Sequence, residues 1–174
     1  MSVHDRLTAA ANRIDRLTAA IGRAVAWCVV AMAAVQFLVV IMRYALGLGS
    51  IWLQETIIYA HAALFMLAAA WTLGADAHVR VDIIYAGASR RKKALVDLLG
   101  ALVLLIPFML TLAALSIPYV ARSWAILERS RETSGLPAVF LLKTLIPAFA
   151  ILLAVQGIAQ AMRAVTVLAS REPR

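Results

Sequence analysis

Chemistry in this chain would have to come from very few side chains. Of the three histidines only His61 lies within an apolar run, so no second imidazole completes a bis-histidine haem site. The single cysteine, Cys28, excludes an intrachain disulfide. No cysteine pair, carboxylate cluster or paired histidine points to a metal, and the expected cofactor is none. His61 remains a candidate, because ionisable groups at membrane depth are often functional. The plainer alternative is a neutral imidazole hydrogen-bonded to Gln36, Gln156 or a backbone carbonyl. Gln36, Gln156, Gln160, Thr111 and Ser116 read as uncharged groups able to bond between helices.

More informative are the charges where apolar runs end. Glu55 follows Trp52 by three positions, and an acid there favours a helix N-terminus. Asp76, His78, Arg80 and Asp82 lie at the opposite end of the same run. A solvated loop would account for them; so would docking against a larger membrane partner.

The elements that must hold these residues are four uncharged apolar runs. They cover Ala24–Met42, Thr56–Ala75, Leu98–Ala121 and Thr144–Met162, or 19 to 24 residues each. A hydrocarbon core of ~30 Å needs roughly 20 residues of helix. Lipid-facing irregular backbone would leave amides unpaired, so the spans should be helical. A chain of 174 residues, 64% hydrophobic, has no outer layer with which to bury four such helices as a soluble protein. No run carries an acidic residue, which argues against an exporter driven by a buried carboxylate.

The net charge of +8 is a topology signal and not a nucleic-acid footprint. Twelve of the 17 Lys and Arg residues precede span one, lie between spans two and three, or follow span four; Arg43, Arg122, Arg129, Arg131 and Lys143 fall on the other side. The positive-inside rule then places both termini and the 76–93 loop in the cytoplasm, beside anionic lipid headgroups. Trp27 and Trp71 mark one interface, Trp52 and Trp124 the other. The first apolar run is too long for a cleaved signal and should remain as an anchor.

Residues 2–20 read as a separate amphipathic helix at the interface, with Val3, Leu7, Ala10, Ile14, Leu17 and Ile21 at helical spacing. The segment Asp-Arg-Leu-Thr-Ala-Ala occurs at 5–10 and again at 15–20, on different helical faces. Gly47 and Gly49 mark the first outer turn. Pro107 and Pro118 predict a kink in span three, and Pro137 suits the first turn of helix four. The expected architecture is one all-α membrane domain over 1–174. It is an up-down bundle with spans at about 21–43, 53–75, 94–121 and 137–162.

Read in order, Ile51-Trp-Leu-Gln-Glu55, His78-Val-Arg-Val-Asp82, Ser123-Trp-Ala-Ile-Leu-Glu-Arg-Ser130 and Ser134-Gly-Leu-Pro137 resemble the DctQ-type small membrane subunit of TRAP transporters, the tripartite ATP-independent periplasmic carriers. The resemblance runs from about residue 20 to 162. It implies a bacterial inner-membrane protein paired with a large multi-spanning permease subunit that carries the substrate and sodium sites. It also implies a periplasmic substrate-binding protein that delivers an organic acid. In that setting the chain is a scaffold and not an enzyme. The positions placed at partner or lipid interfaces are Trp52, Glu55, His78, Arg80, Asp82, Glu128, Ser130, Gly135, Pro137 and Lys143. Many relatives have Trp-x-Glu-Glu; Gln54 replaces the first acid here. With His78-Val-Arg-Val-Asp82 and Lys143, this is similar to a subgroup labelled mannitol or chloroaromatic transport, and similar systems point to 2-oxo or hydroxy monocarboxylates. Gln54 argues against a C4-dicarboxylate. A self-sufficient four-helix transporter and a membrane haem or redox protein are the alternatives.

Overall fold

A computed structural model describes residues 3–78 and 87–170, which form helices and short connections with no strand among them. Helix α1 covers Val3–Leu46, α2 Ile51–Gly74, α3 Arg90–Ala125 and α4 Val139–Ala169, each long and apolar enough to cross a bilayer. Ser50 caps α2 by accepting from the Leu53 amide (3.4 Å), and Ser89 caps α3 by accepting from Lys92 (3.4 Å). The helices run alternately up and down. α4 lies between the α1–α2 hairpin and α3, which packs chiefly against it.

Among the described residues, the amphipathic helix expected at 2–20 does not stand as a separate element. α1 is one continuous helix of 44 residues, about 66 Å long, and residues 3–20 are its first part. Two physical causes are visible. A single glycine at 22 is too weak a breaker to end a helix. Asp15 and Thr18 of the early segment also find partners on α4, and Ala11, Thr18 and Gly22 are buried. Gly22 lies against α2: a Cβ there would run into the Trp71 indole.

The kink expected in α3 takes the form of a widened turn. Pro107 cannot donate to the Val103 carbonyl, and the turns just ahead of it, Gly100–Leu105, are π-helical, with the Ile106 amide bonding to Ala101. Pro118 sits inside the same helix.

Packing along α4 explains how a chain this apolar holds together. Ala150, Ala154, Gly157, Ala161 and Ala164 are buried at alternating spacings of four and three. Small residues let neighbouring helices approach where lipid removes any hydrophobic drive for association. The large side chains point the other way: Trp27, Phe37, Phe65, Phe108 and Leu115 are each about two-thirds exposed or more. Small residues inside and large apolar ones outside is the arrangement of a multi-pass membrane protein.

Candidate functional site

Polar side chains gather at the two ends of the bundle. At the end where α2 and α4 begin, the connection between α3 and α4 is built on two carboxylates. Glu55, one turn into α2, accepts the Ser130 hydroxyl with one oxygen and the Leu136 amide with the other (2.5 Å). Gly135 lies against this contact; a Cβ there would meet Ser130 and come within 2.8 Å of Glu55 Oε1. Glu128 accepts from Ser123 Oγ (2.7 Å) and pairs with Lys143 Nζ (2.5 Å), whose ammonium also sits 4.2 Å over the Tyr119 ring. Backbone bonds close the loop, from Ser130 N–H to Leu136 (3.1 Å) and from Val139 N–H to Glu128 (3.0 Å).

The same cluster accounts for an unusual helix end. α3 stops in a Schellman turn, with Leu127 N–H to Trp124 (3.1 Å) and Glu128 N–H to Ser123 (3.0 Å). Leu127 occupies the left-handed region there (φ +47°), which is uncommon for a bulky side chain. Glu128 follows immediately, and its bonds to Ser123 and Lys143 hold the turn. One turn below Glu55, the Tyr59 hydroxyl is buried without a hydrogen-bond partner among the described residues.

The Glu128 carboxyl is held below its ordinary range, first by its hydrogen bond to Lys143 and then by Ser123. A folded value below the unfolded one contributes stability that is complete above the ordinary carboxylate range. That stability is lost as pH falls through the folded value. Trp124 reports on it, because its indole donates to Thr144 Oγ1 (2.9 Å) and packs edge-on to Phe140 at 4.6 Å. With the other tryptophans replaced, its fluorescence should stay constant from neutral pH to the ordinary carboxylate range and change only below it. Glu128→Gln should show the acid signal at neutral pH and no transition.

At the other end, α1, α2 and α4 are joined by a second network. Gln156 is fully buried. Its amide donates to Asp15 Oδ1 (2.9 Å) and its carbonyl accepts from Thr18 Oγ1 (2.9 Å). Asp15 also pairs with Arg163. Gln160 donates to the Leu73 carbonyl at the end of α2 (3.4 Å). The two copies of the Asp-Arg-Leu-Thr-Ala-Ala segment thus have different fates. Thr18 is buried against Gln156, whereas Thr8 is exposed and bonds to the His4 carbonyl of its own helix.

Of the ten positions expected at interfaces, five converge on the α3–α4 connection: Glu55, Glu128, Ser130, Gly135 and Lys143. Pro137 immediately precedes the Ala138 cap, so α4 starts two residues later than expected. Trp52 is half-exposed in the first turn of α2 and outside the network. His78 lies at the opposite end, 3.1 Å from Thr72 Oγ1 and 3.3 Å from the Ala69 carbonyl. Arg80 and Asp82 lie outside the described residues. His61 is exposed, and Gln156, one partner considered for it, is engaged by Asp15 and Thr18. Asp15, Thr18 and Arg163 were not singled out from the sequence, and only the fold brings them together.

A family model described as "Tripartite ATP-independent periplasmic transporters, DctQ component" matches residues 32–167. The chain belongs to the DctQ family. Neither the curated proteins nor the solved structures yielded a match. The DctQ match contains every residue of the α3–α4 carboxylate network, together with Gln156 and Arg163, and begins after Asp15 and Thr18. As a DctQ component, the chain is a small membrane subunit of a TRAP transporter.

Proposed function

We propose that this DctQ-family subunit is a rigid scaffold for the large permease subunit of a sodium-coupled TRAP transporter. A periplasmic binding protein would deliver an organic acid, with 2-oxo or hydroxy monocarboxylates the favoured class. Sodium coupling and substrate contacts belong to the large partner, so the chain itself is neither an enzyme nor a carrier. It resides in the bacterial inner membrane with both termini in the cytoplasm.

One observation carries this reading. The charged residues of the two networks tie this chain's own helices to one another, while its large apolar side chains face outward. A subunit so arranged offers a fixed apolar wall to a membrane partner. The twelve-to-five division of basic residues supports the orientation. Single cysteines in the 44–50 turn should accordingly be labelled from outside the cell, and those at 88–93 should not.

The test is what the tagged chain retains in mild detergent when expressed with its transporter partners. Retention of a large multi-spanning subunit in constant ratio is expected. Elution free of any larger membrane protein would contradict the scaffold reading.

A further inference from the structure

Between α1 and α2, near the Glu55 end, lies an open cleft of about 310 Å³ lined by Gln36, Val39, Val40, Arg43, Tyr44 and Gln54. Its polar side chains belong to neither network. Gln36, Arg43 and Gln54 make no side-chain hydrogen bond or ion pair with any described residue. No carboxylate lines the cleft, so a guanidinium, two carboxamides and a phenol face one opening with nothing to neutralise the charge.

Gln36 is the decisive member. It lies inside the uncharged run Ala24–Met42, seven residues before Arg43, and is therefore about 10 Å deeper along the helix. Its side chain is exposed at the surface of the chain, where a bilayer would otherwise leave the carboxamide unpaired. A partner with an anionic group at the level of Arg43, polar acceptors on its membrane side within reach of the Gln36 side chain and an apolar remainder would satisfy all of these groups together.

We infer that the cleft is a binding site for one glycerophospholipid molecule. Its phosphodiester meets Arg43, with the Tyr44 hydroxyl and Gln54 amide beside it. Its glycerol-ester carbonyls accept from Gln36, and an acyl chain follows Val39 and Val40. Arginine suits a phosphate oxygen pair by its fork of donors. The ester groups of a phospholipid lie on the membrane side of its phosphate, the side on which Gln36 lies relative to Arg43. A free inorganic anion would satisfy Arg43 and leave Gln36 unpaired. The inference rests on α1 and α2 spanning a bilayer and is independent of the scaffold reading.

The full-length chain, stripped of lipid in detergent, is titrated with phosphatidylglycerol and separately with inorganic phosphate or glycerol 3-phosphate. Native mass spectrometry counts the bound molecules. One retained phospholipid per chain is expected, with occupancy falling about fivefold in Arg43→Ala and clearly in Gln36→Leu. Arg122→Ala, an exposed arginine outside the cleft, should leave it unchanged. Equal loss in Arg122→Ala, no change in Arg43→Ala, or equal binding of glycerol 3-phosphate would overturn the assignment. A photo-crosslinker at position 40 in native membranes provides a second reading. Transfer to lipid supports the site, and transfer to a polypeptide contradicts it.

Discussion

Gln156→Leu should be the most destabilising of the conservative substitutions at the polar networks, lowering stability by about 2–3 kcal/mol. The carboxamide is fully buried and uses both ends, donating to Asp15 and accepting from Thr18. Leucine fills a similar volume, so the loss is chiefly that of hydrogen bonds, one of them to a charged group. It also sets an apolar group against a carboxylate. The reach of the effect distinguishes it from ordinary core damage. Residues 3–20 are held to α4 through Asp15 and Thr18, so amide exchange in that segment should rise more than in α2 or α3. Thr18→Val should cost less, because the Thr18 hydroxyl also bonds to the carbonyls of Ile14 (3.2 Å) and Asp15 (3.2 Å) in its own helix. The double variant should cost less than the two single losses together. Uniform destabilisation with no local exchange at 3–20 would contradict the network's role.

Glu55→Ala should release the α3–α4 connection while leaving the helices in place. Two hydrogen bonds to a carboxylate are lost, from Ser130 Oγ and from Leu136 N–H, and about 2 kcal/mol of local stability should go with them. Cleavage after Arg129 or Arg131 by trypsin samples the open loop, so the rate should rise roughly thirtyfold. Glu55→Gln should behave nearly as badly. A carboxamide can accept from Ser130 on one side but turns a donor towards the Leu136 amide on the other. Co-purification of the large subunit should weaken in both variants. Because both Glu55 oxygens are engaged within the chain, that weakening acts through the shape of the loop. Wild-type cleavage rates in both variants would show that Glu55 only solvates the helix end.

Much of this molecule can be read from residue order. The four spans follow from run lengths, and the Glu55–Ser130–Gly135 cluster lies within short motifs that stand out in the chain. The Ser123-to-Ser130 segment carries residues of both carboxylate sites: Ser123 donates to Glu128, and Ser130 donates to Glu55. The other network is not legible in that way. Asp15 and Arg163 are separated by nearly the whole chain, and only the way helices pass one another decides that Gln156 reaches Asp15 rather than His61. The basic-residue count does place residues 15 and 163 on the same side of the membrane, which was the available clue. The early segment of α1 is ambiguous in sequence for a related reason. An amphipathic stripe is equally suited to a lipid surface or to a neighbouring helix, and its periodicity does not distinguish them. Asp15 and Thr18, beside the apolar stripe and not on it, are the residues that bond to α4.

The central claim, that this subunit supports transport without performing it, is tested most directly by uptake into proteoliposomes. Vesicles carrying this chain alone, this chain with its large subunit, and the pair with the periplasmic binding protein would be compared under an inward sodium gradient. A radiolabelled 2-oxo or hydroxy monocarboxylate would serve as probe. The account predicts sodium-dependent accumulation only when all three components are present. Accumulation by vesicles containing this chain alone would contradict it.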